Sequence, residues 1–262
     1  MRLLSHSLLL LPLLPLAICT SSIVCYDYSG ETGDQYRTSS AVPQLWMNDF
    51  DNTIESCCFS GVWVLYADNT YNNASSAGAW WGYGEGYCSN TPPVFRNQAS
   101  SLRPSGNPGD WTADSLTLYS QEFFGGEARV VVRDTEQLNG IQFDNLAESV
   151  VLTGCTAWTL YQYDDFLGDS LCLLPGDRAN STRVNMEAAT INKAATVIEP
   201  ASDHCVPGFY GTKVLLGRLA GKVSSMRKGC WTGTLKVPSS QGMNQHQHNG
   251  GGLGGSGWSG QV

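Results

Sequence analysis

Oxygen-bearing side chains recur in one short pattern along this chain. Phe50-Asp51-Asn52-Thr53-Ile54-Glu55-Ser56 returns 93 residues later as Phe143-Asp144-Asn145-Leu146-Ala147-Glu148-Ser149. A related stretch, Phe95-Arg96-Asn97-Gln98-Ala99-Ser100-Ser101, lies about halfway between them, and Thr190-Ile191-Asn192-Lys193-Ala194-Ala195-Thr196 follows at a similar interval. Two kinds of chemistry suit such loops. Asp, Asn and Ser side chains cap turns by bonding to nearby backbone, and hard oxygen donors in a rigid turn are what calcium selects. The residues alone leave both open. An EF-hand over 48–55 fails, because no glycine stands at its sixth position.

Signatures of catalysis are missing. There is no G-x-S-x-G and no H-E-x-x-H, and Gly217–Lys222 lacks the spacing of a phosphate loop. Once a leader is removed, only His204, His246 and His248 remain, two of them in a Gly- and Gln-rich tail. The expectation is a protein that is not an enzyme.

Cysteine offers the other chemistry. Discarding Cys19 with the leader leaves eight, an even number that favours disulfides in an exported chain. They divide into Cys25, Cys57, Cys58 and Cys88; then Cys155 and Cys172; then Cys205 and Cys230. Adjacent Cys57 and Cys58 point to opposite sides of a strand, so one should bond Cys25 and the other Cys88. Cys155 and Cys172 flank the Tyr161–Gly168 bend almost symmetrically and are placed to face each other across a hairpin. No CxxC or CxxH spacing supports zinc.

The elements that would hold these loops are strands. Leu116 to Ser149 opens with alternating Leu116 and Leu118, continues through Tyr119, Phe124-Gly125-Gly126 and Val130-Val131-Val132, and ends in the polar loop. That is a folded-over hairpin followed by a further strand. The pattern aromatic–x4–aromatic–x–Gly recurs at Tyr161, Phe166 and Gly168. Tyr26 and Gly33 map onto Tyr119 and Gly126, and Trp63, Tyr66 and Tyr71 onto Trp158, Tyr161 and Phe166. The period is a half-unit of about 46 residues, present four times. The first copy has Glu31 for its second aromatic; the second has Asn73 for the turn glycine, a residue that tolerates the left-handed conformation.

These motifs, with (Asn/Asp)-(Asn/Asp)-x-x-(Ser/Thr)-Ser some 20 residues after each hairpin, resemble the Greek-key signature of the βγ-crystallin superfamily. The resemblance implies an all-β chain of tandem βγ-crystallin-like Greek-key β-sandwich domains. It covers residues 23–201 well and 202–235 poorly. Domain 1 would be 23–108 and domain 2 115–201, with a compressed fifth key over 202–235. In that family the loops bind calcium, through a fifth-position side-chain oxygen and a third-position carbonyl. Carried over, the side-chain ligands are Glu55, Ser100 and Glu148, the carbonyl donors are Thr53, Gln98 and Leu146, and Asp51 and Asp144 open the favoured loops. Glu in place of Ser/Thr departs from the pattern, as does the cation Arg96. Ala195 offers no side-chain oxygen, so the fourth loop is expected to be inactive.

The flanks and composition fit an exported β protein. Residues 1–21 resemble a secretory signal, and its apolar stretch, broken by Pro12 and Pro15, is too short to span a bilayer. The chain has 29 glycines and 27 aromatic residues. Removing Arg2 leaves 14 basic against 23 acidic residues, which argues against nucleic acid or an anionic membrane as partner. Residues 104–114 form a short, proline-stiffened linker favouring domains packed side by side. Asn73 and Asn180 open glycosylation sequons, Asn180 in the more open-looking loop. Trp80, Trp81 and Tyr83 form an aromatic stretch able to stack on sugars, although it aligns with a core strand. Residues 238–262 have the composition of a disordered tail. The leading expectation is a secreted structural protein with calcium as its ion. The alternatives are an extracellular glycan- or protein-binding module and a self-associating matrix component.

Overall fold

The computed structural model describes residues 20–73, 75, 77–176 and 205–236. The leader through residue 19, the Asn180 sequon, the 190–196 stretch, His204 and the 238–262 tail lie outside the described residues.

Domain 1 is built from β1 (Ser22–Tyr28), β2 (Thr32–Thr38), β3 (Ser56–Tyr66), β4 (Ala79–Asn90) and β5 (Ser101–Ser105). The long strands β3 and β4 each serve two sheets. The first half of β3 pairs with β1 and the second half with β5, while β4 accompanies it along its whole length. The switch falls at a bulge after Phe59, where Gly61 takes φ +91° and an added Cβ would sit 2.5 Å from Ser21 Oγ. The linker expected at 104–114 therefore begins inside β5.

Domain 2 uses β6 (Ser115–Tyr119), β7 (Ala128–Val131), β8 (Ser149–Thr153), β9 (Trp158–Tyr163), β10 (Leu167–Leu173), β11 (Gly208–Tyr210), β12 (Ser225–Lys228) and β13 (Leu235–Lys236). One sheet runs β7-β6-β8-β11 and the other β12-β9-β10-β13. Thus β11 pairs antiparallel with β8, Phe209 opposite Val151, and β12 pairs with β9, Met226 opposite Leu160. This corrects the expected layout. Residues 208–228 are not a fifth key: they supply the third and fourth strands of the fourth, and the domain does not end at 201. Strand β10 ends at Leu173 and β11 begins at Gly208.

Each sandwich closes on its own core. Trp63, Leu65, Phe59, Trp80 and Phe95 fill domain 1, and Trp158, Leu160, Leu118, Phe143 and Met226 fill domain 2. The second half of β3 and the whole of β8 are buried on both faces because the second face meets the other domain. There Val62, Val64 and Tyr66 pack with Tyr119, Phe124, Val151 and Phe209. Arg103 seals this interface from within, donating to Tyr66 Oη at 2.9 Å and to the Phe124 and Gly126 carbonyls at 2.8 and 2.9 Å. Its guanidinium also lies 4.6 Å from the Tyr71 ring and 4.8 Å from that of Tyr119.

The disulfides are Cys25–Cys57, Cys58–Cys88, Cys155–Cys205 and Cys172–Cys230. The Cys155–Cys172 pairing expected across the hairpin does not form. The β9–β10 register sets Cys172 opposite Thr159, four residues from Cys155. Both cysteines instead reach into the re-entering segment.

Candidate functional site: the clasped loops

Four sixth-position serines fix the four hairpins in the same way. Ser56 Oγ donates to Tyr28 O and accepts from Glu31 N. Ser101 does so between Asp68 O and Tyr71 N, and Ser149 between Gln121 O and Phe124 N. Ser225 completes the set with Tyr163 O and Phe166 N. The fourth loop is therefore 220–225, and Ser224, not Ala195, stands at its fifth position. The paired Val223-Ser224-Ser225, echoing Ala99-Ser100-Ser101, was the signal for it in the sequence.

Within each domain two loops clasp each other about a local twofold. Asn52 N donates to Ala99 O at 2.9 Å and Asn97 N to Ile54 O at 3.1 Å. In domain 2, Asn145 N donates to Val223 O at 2.9 Å and Gly221 N to Ala147 O at 2.8 Å. The clasp demands left-handed backbone at the second position: φ is 54° at Asn52, 55° at Asn97, 56° at Asn145 and 65° at Gly221. Asn and Gly are the residues that enter this region at least cost. The second-position asparagines are explained by conformation before any ligand is invoked. At the second hairpin the expectation for Asn73 fails: it has φ −60°, and Thr70, Tyr71 and Asn72 take the positive φ instead.

The fifth-position carboxylates face partners from their own hairpin and from across the clasp. Glu55 Oε2 accepts from Ser29 Oγ at 2.8 Å, Oε1 accepts from Asn97 Nδ2 at 3.1 Å, and Arg96 Nε lies 3.9 Å away. These hydrogen bonds, Ser29 first and Asn97 second, hold the Glu55 carboxyl below the ordinary glutamate range, with Arg96 adding its charge. Glu148 Oε1 instead meets Lys213 Nζ at 2.9 Å, and the Glu148 carboxylate raises the lysine's pKa. Both cations come from the partner key. Sequence reasoning found Arg96 but missed Lys213, because the boundary drawn at 201 put it in another unit.

The first-position aspartates are organised differently. Asp51 Oδ2 accepts from Asn52 Nδ2 at 2.9 Å and Asp144 Oδ2 from Asn145 Nδ2 at 2.7 Å. The remaining oxygen of each, Asp51 Oδ1 and Asp144 Oδ1, is buried with no hydrogen-bond partner among the described residues. The third-position carbonyls of Thr53, Gln98 and Leu146 accept no hydrogen bond among the described residues. Ser100 is buried, its amide bonded to Tyr66 O and its carbonyl to Leu45 N; Ser224 repeats this with Tyr161 and Leu138. No hydrogen bond or ion pair among the described residues joins Asp51 to Glu55 or Asp144 to Glu148. Nor does any group of three or more His, Cys, Asp or Glu side chains come together among the described residues. An ion here would need carbonyl, amide or hydroxyl oxygens beside a carboxylate.

The aromatic stretch considered as a sugar platform is consumed by packing. Trp80 is buried edge-on to Phe59, and Trp81 stands edge-on to Phe124, its ring 5.0 Å away across the domain interface. Tyr83 packs on Phe209 at 5.9 Å. No described helix is long and apolar enough to cross a membrane.

Paired two-key sandwiches with clasped loops define a class of Greek-key protein, and comparison with known proteins agrees. Residues 115–193 match the family model described as Beta/Gamma crystallin. Geodin, a beta-gamma crystallin from Geodia cydonium, is similar at 18% identity and a TM-score of 0.52, covering 80% of this chain and 99% of that one. A betagamma-crystallin from an archaeon is similar at 18% identity and TM-score 0.30, over 44% of this chain and 98% of that one. Protein S, solved in solution complexed with calcium, has 17% identity and TM-score 0.26, over 79% and 99%. No curated protein matches the chain. The chain has the fold of the βγ-crystallins, and residues 115–193 match that family.

Proposed function

We propose that this chain is an extracellular, non-enzymatic structural protein whose clasped loops take up calcium, the Asp144–Ser149 loop most readily. The observation that carries the calcium reading is the buried, unpartnered oxygen on both first-position aspartates. A buried carboxylate oxygen without a donor is costly unless a cation answers it. Free third-position carbonyls add the neutral oxygens that calcium coordination uses.

Domain 2 is favoured because its resident cation is easier to displace. The Glu148–Lys213 pair lies at the surface, where solvent screening keeps an ion pair weak. Glu55 is held by two neutral donors as well as Arg96, whose fixed charge repels a second cation. Four disulfides suit an oxidising compartment, and exposed Asn73 offers a sequon there.

Calorimetric titration of calcium into the full chain should show binding that Glu148→Gln weakens. Lys213→Ala should tighten it roughly two- to fivefold by removing the competing charge. Absence of heat, together with an unchanged melting temperature in calcium, would remove the ion while leaving the structural reading in place.

A further inference from the structure

The geometry points to Cys58–Cys88 as a thiol-exchange site: a disulfide that opens to external thiols while the fold and the other three bridges stay closed. The argument begins with the sheet's register. Cys25 lies directly opposite Cys57 across β1–β3, and Cys58 directly opposite Cys88 across β3–β4. Such face-to-face positions bring the Cα atoms to 4.0 and 3.9 Å, closer than the usual range of about 4.4–6.8 Å. The domain 2 bridges span 5.2 and 5.3 Å, inside it.

Burial then separates the two cross-strand bridges. The pleat sends one row of partners inward, Tyr36, Cys25, Cys57 and Ser89, and the next row outward, Arg37, Val24, Cys58 and Cys88. Cys25 and Cys57 are fully buried in the domain 1 core. Cys88 is exposed on β4, which pairs only with β3 among the described strands. Exposed or constrained disulfides are the ones that exchange, because an attacking thiolate must reach a sulfur.

The chemistry balances with a thiol as the named reductant. A thiolate attacks Cys88 Sγ; its sulfur bonds to Cys88 as the Cys58–Cys88 bond breaks, and Cys58 leaves as a thiolate that takes up a proton. A second thiol attacks the sulfur that the first one contributed, releasing Cys88 and forming the external disulfide. Two thiols thereby supply two electrons. The freed Cys58 cannot reshuffle with its neighbour, since Cys57 points through the sheet into the core. What is released is the end of β4, residues 85–90, most of it solvent-exposed.

The test is graded incubation of the folded full chain with reduced glutathione, followed by alkylation and peptide mapping. Cys58 and Cys88 should label roughly tenfold faster than any other cysteine, with near-ultraviolet circular dichroism unchanged. A glutathione adduct should appear at Cys88 when thiol is limiting. Cys58→Ser/Cys88→Ser should stay folded and lose the fast labelling. First opening at Cys155–Cys205, or simultaneous opening of all four bridges as the circular dichroism collapses, would overturn the proposal.

Discussion

The two domains make the same clasp and differ in how the chain reaches its last two strands. In domain 1, β4 runs through 12 residues from pairing with the second half of β3 to pairing with the first half, with no excursion. In domain 2 the same step is interrupted: β10 ends at Leu173 and β11 begins at Gly208. Yet β11 lies against β8 as the end of β4 lies against β3. A Greek key therefore does not need its second and third strands to be continuous. The third strand is held by the other key, and disulfides hold the interrupted ends: Cys155–Cys205 and Cys172–Cys230 both tie the sandwich to the re-entering segment. Domain 1 spends its two bridges within the ladder instead.

The largest expected contrast is at two equivalent arginines, Arg103 on β5 and Arg227 on β12. Arg103→Leu removes three hydrogen bonds at a buried interface and should cost about 3 kcal/mol. Urea unfolding should be one transition in the wild type and split into two in this variant. Arg227 lies over the Phe166 and Trp231 rings at the margin of domain 2, so Arg227→Leu should cost only about 1 kcal/mol without splitting the curve. Equal losses would show that the domains do not depend on Arg103.

A smaller effect probes the clasp itself. Asn145→Ala should destabilise by about 1 kcal/mol, whereas Asn145→Gly should be neutral within a few tenths, since the left-handed backbone outweighs the exposed Asp144 hydrogen bond. Gly221→Ala should match the first of these; a larger loss from Asn145→Gly would mean the side chain matters more than its backbone.

The smallest effect is in acid and base. Glu55 has its pKa lowered on folding, so its contribution is present above the ordinary glutamate pKa and disappears as pH falls through the lower folded value. Lys213 is raised, so its contribution is present at neutral pH and disappears as pH climbs through the folded value above the ordinary lysine range. Nuclear magnetic resonance titration should show Ser29→Ala returning Glu55 toward normal more than Arg96→Gln does. The reverse order would assign Glu55 chiefly to the ion pair.

Much of this was legible in the sequence because it is local. The hairpin aromatics meet as spaced: Tyr66 with Tyr71, Tyr119 with Phe124 and Tyr161 with Phe166 lie 5.6–5.7 Å apart. The serines that follow them stitch each hairpin to its loop. What the sequence concealed was long-range. Counting by period placed the fourth loop at 190–196, since an asparagine there satisfied the motif as well as Gly221 did. Only strand pairing, Tyr210 opposite Val150 and Ser225 opposite Tyr161, locates the real one. The cysteines misled for the same reason, because symmetry about a bend says nothing of register once the hairpin contains an irregularity. Of the site, Asp51, Asp144 and the two glutamates were readable; Lys213 was not, since it reaches Glu148 from 65 residues away.

At the point where domain 2 is interrupted, the departing and returning chain lie side by side, Gly176 N donating to Val206 O at 2.9 Å and Tyr210 Oη bridging Leu174 and Lys236. The exit and the entrance are one doorway. Holding the two ends together falls to Gly176, Val206 and Tyr210, and Tyr210→Phe should cut the link between Leu174 and Lys236.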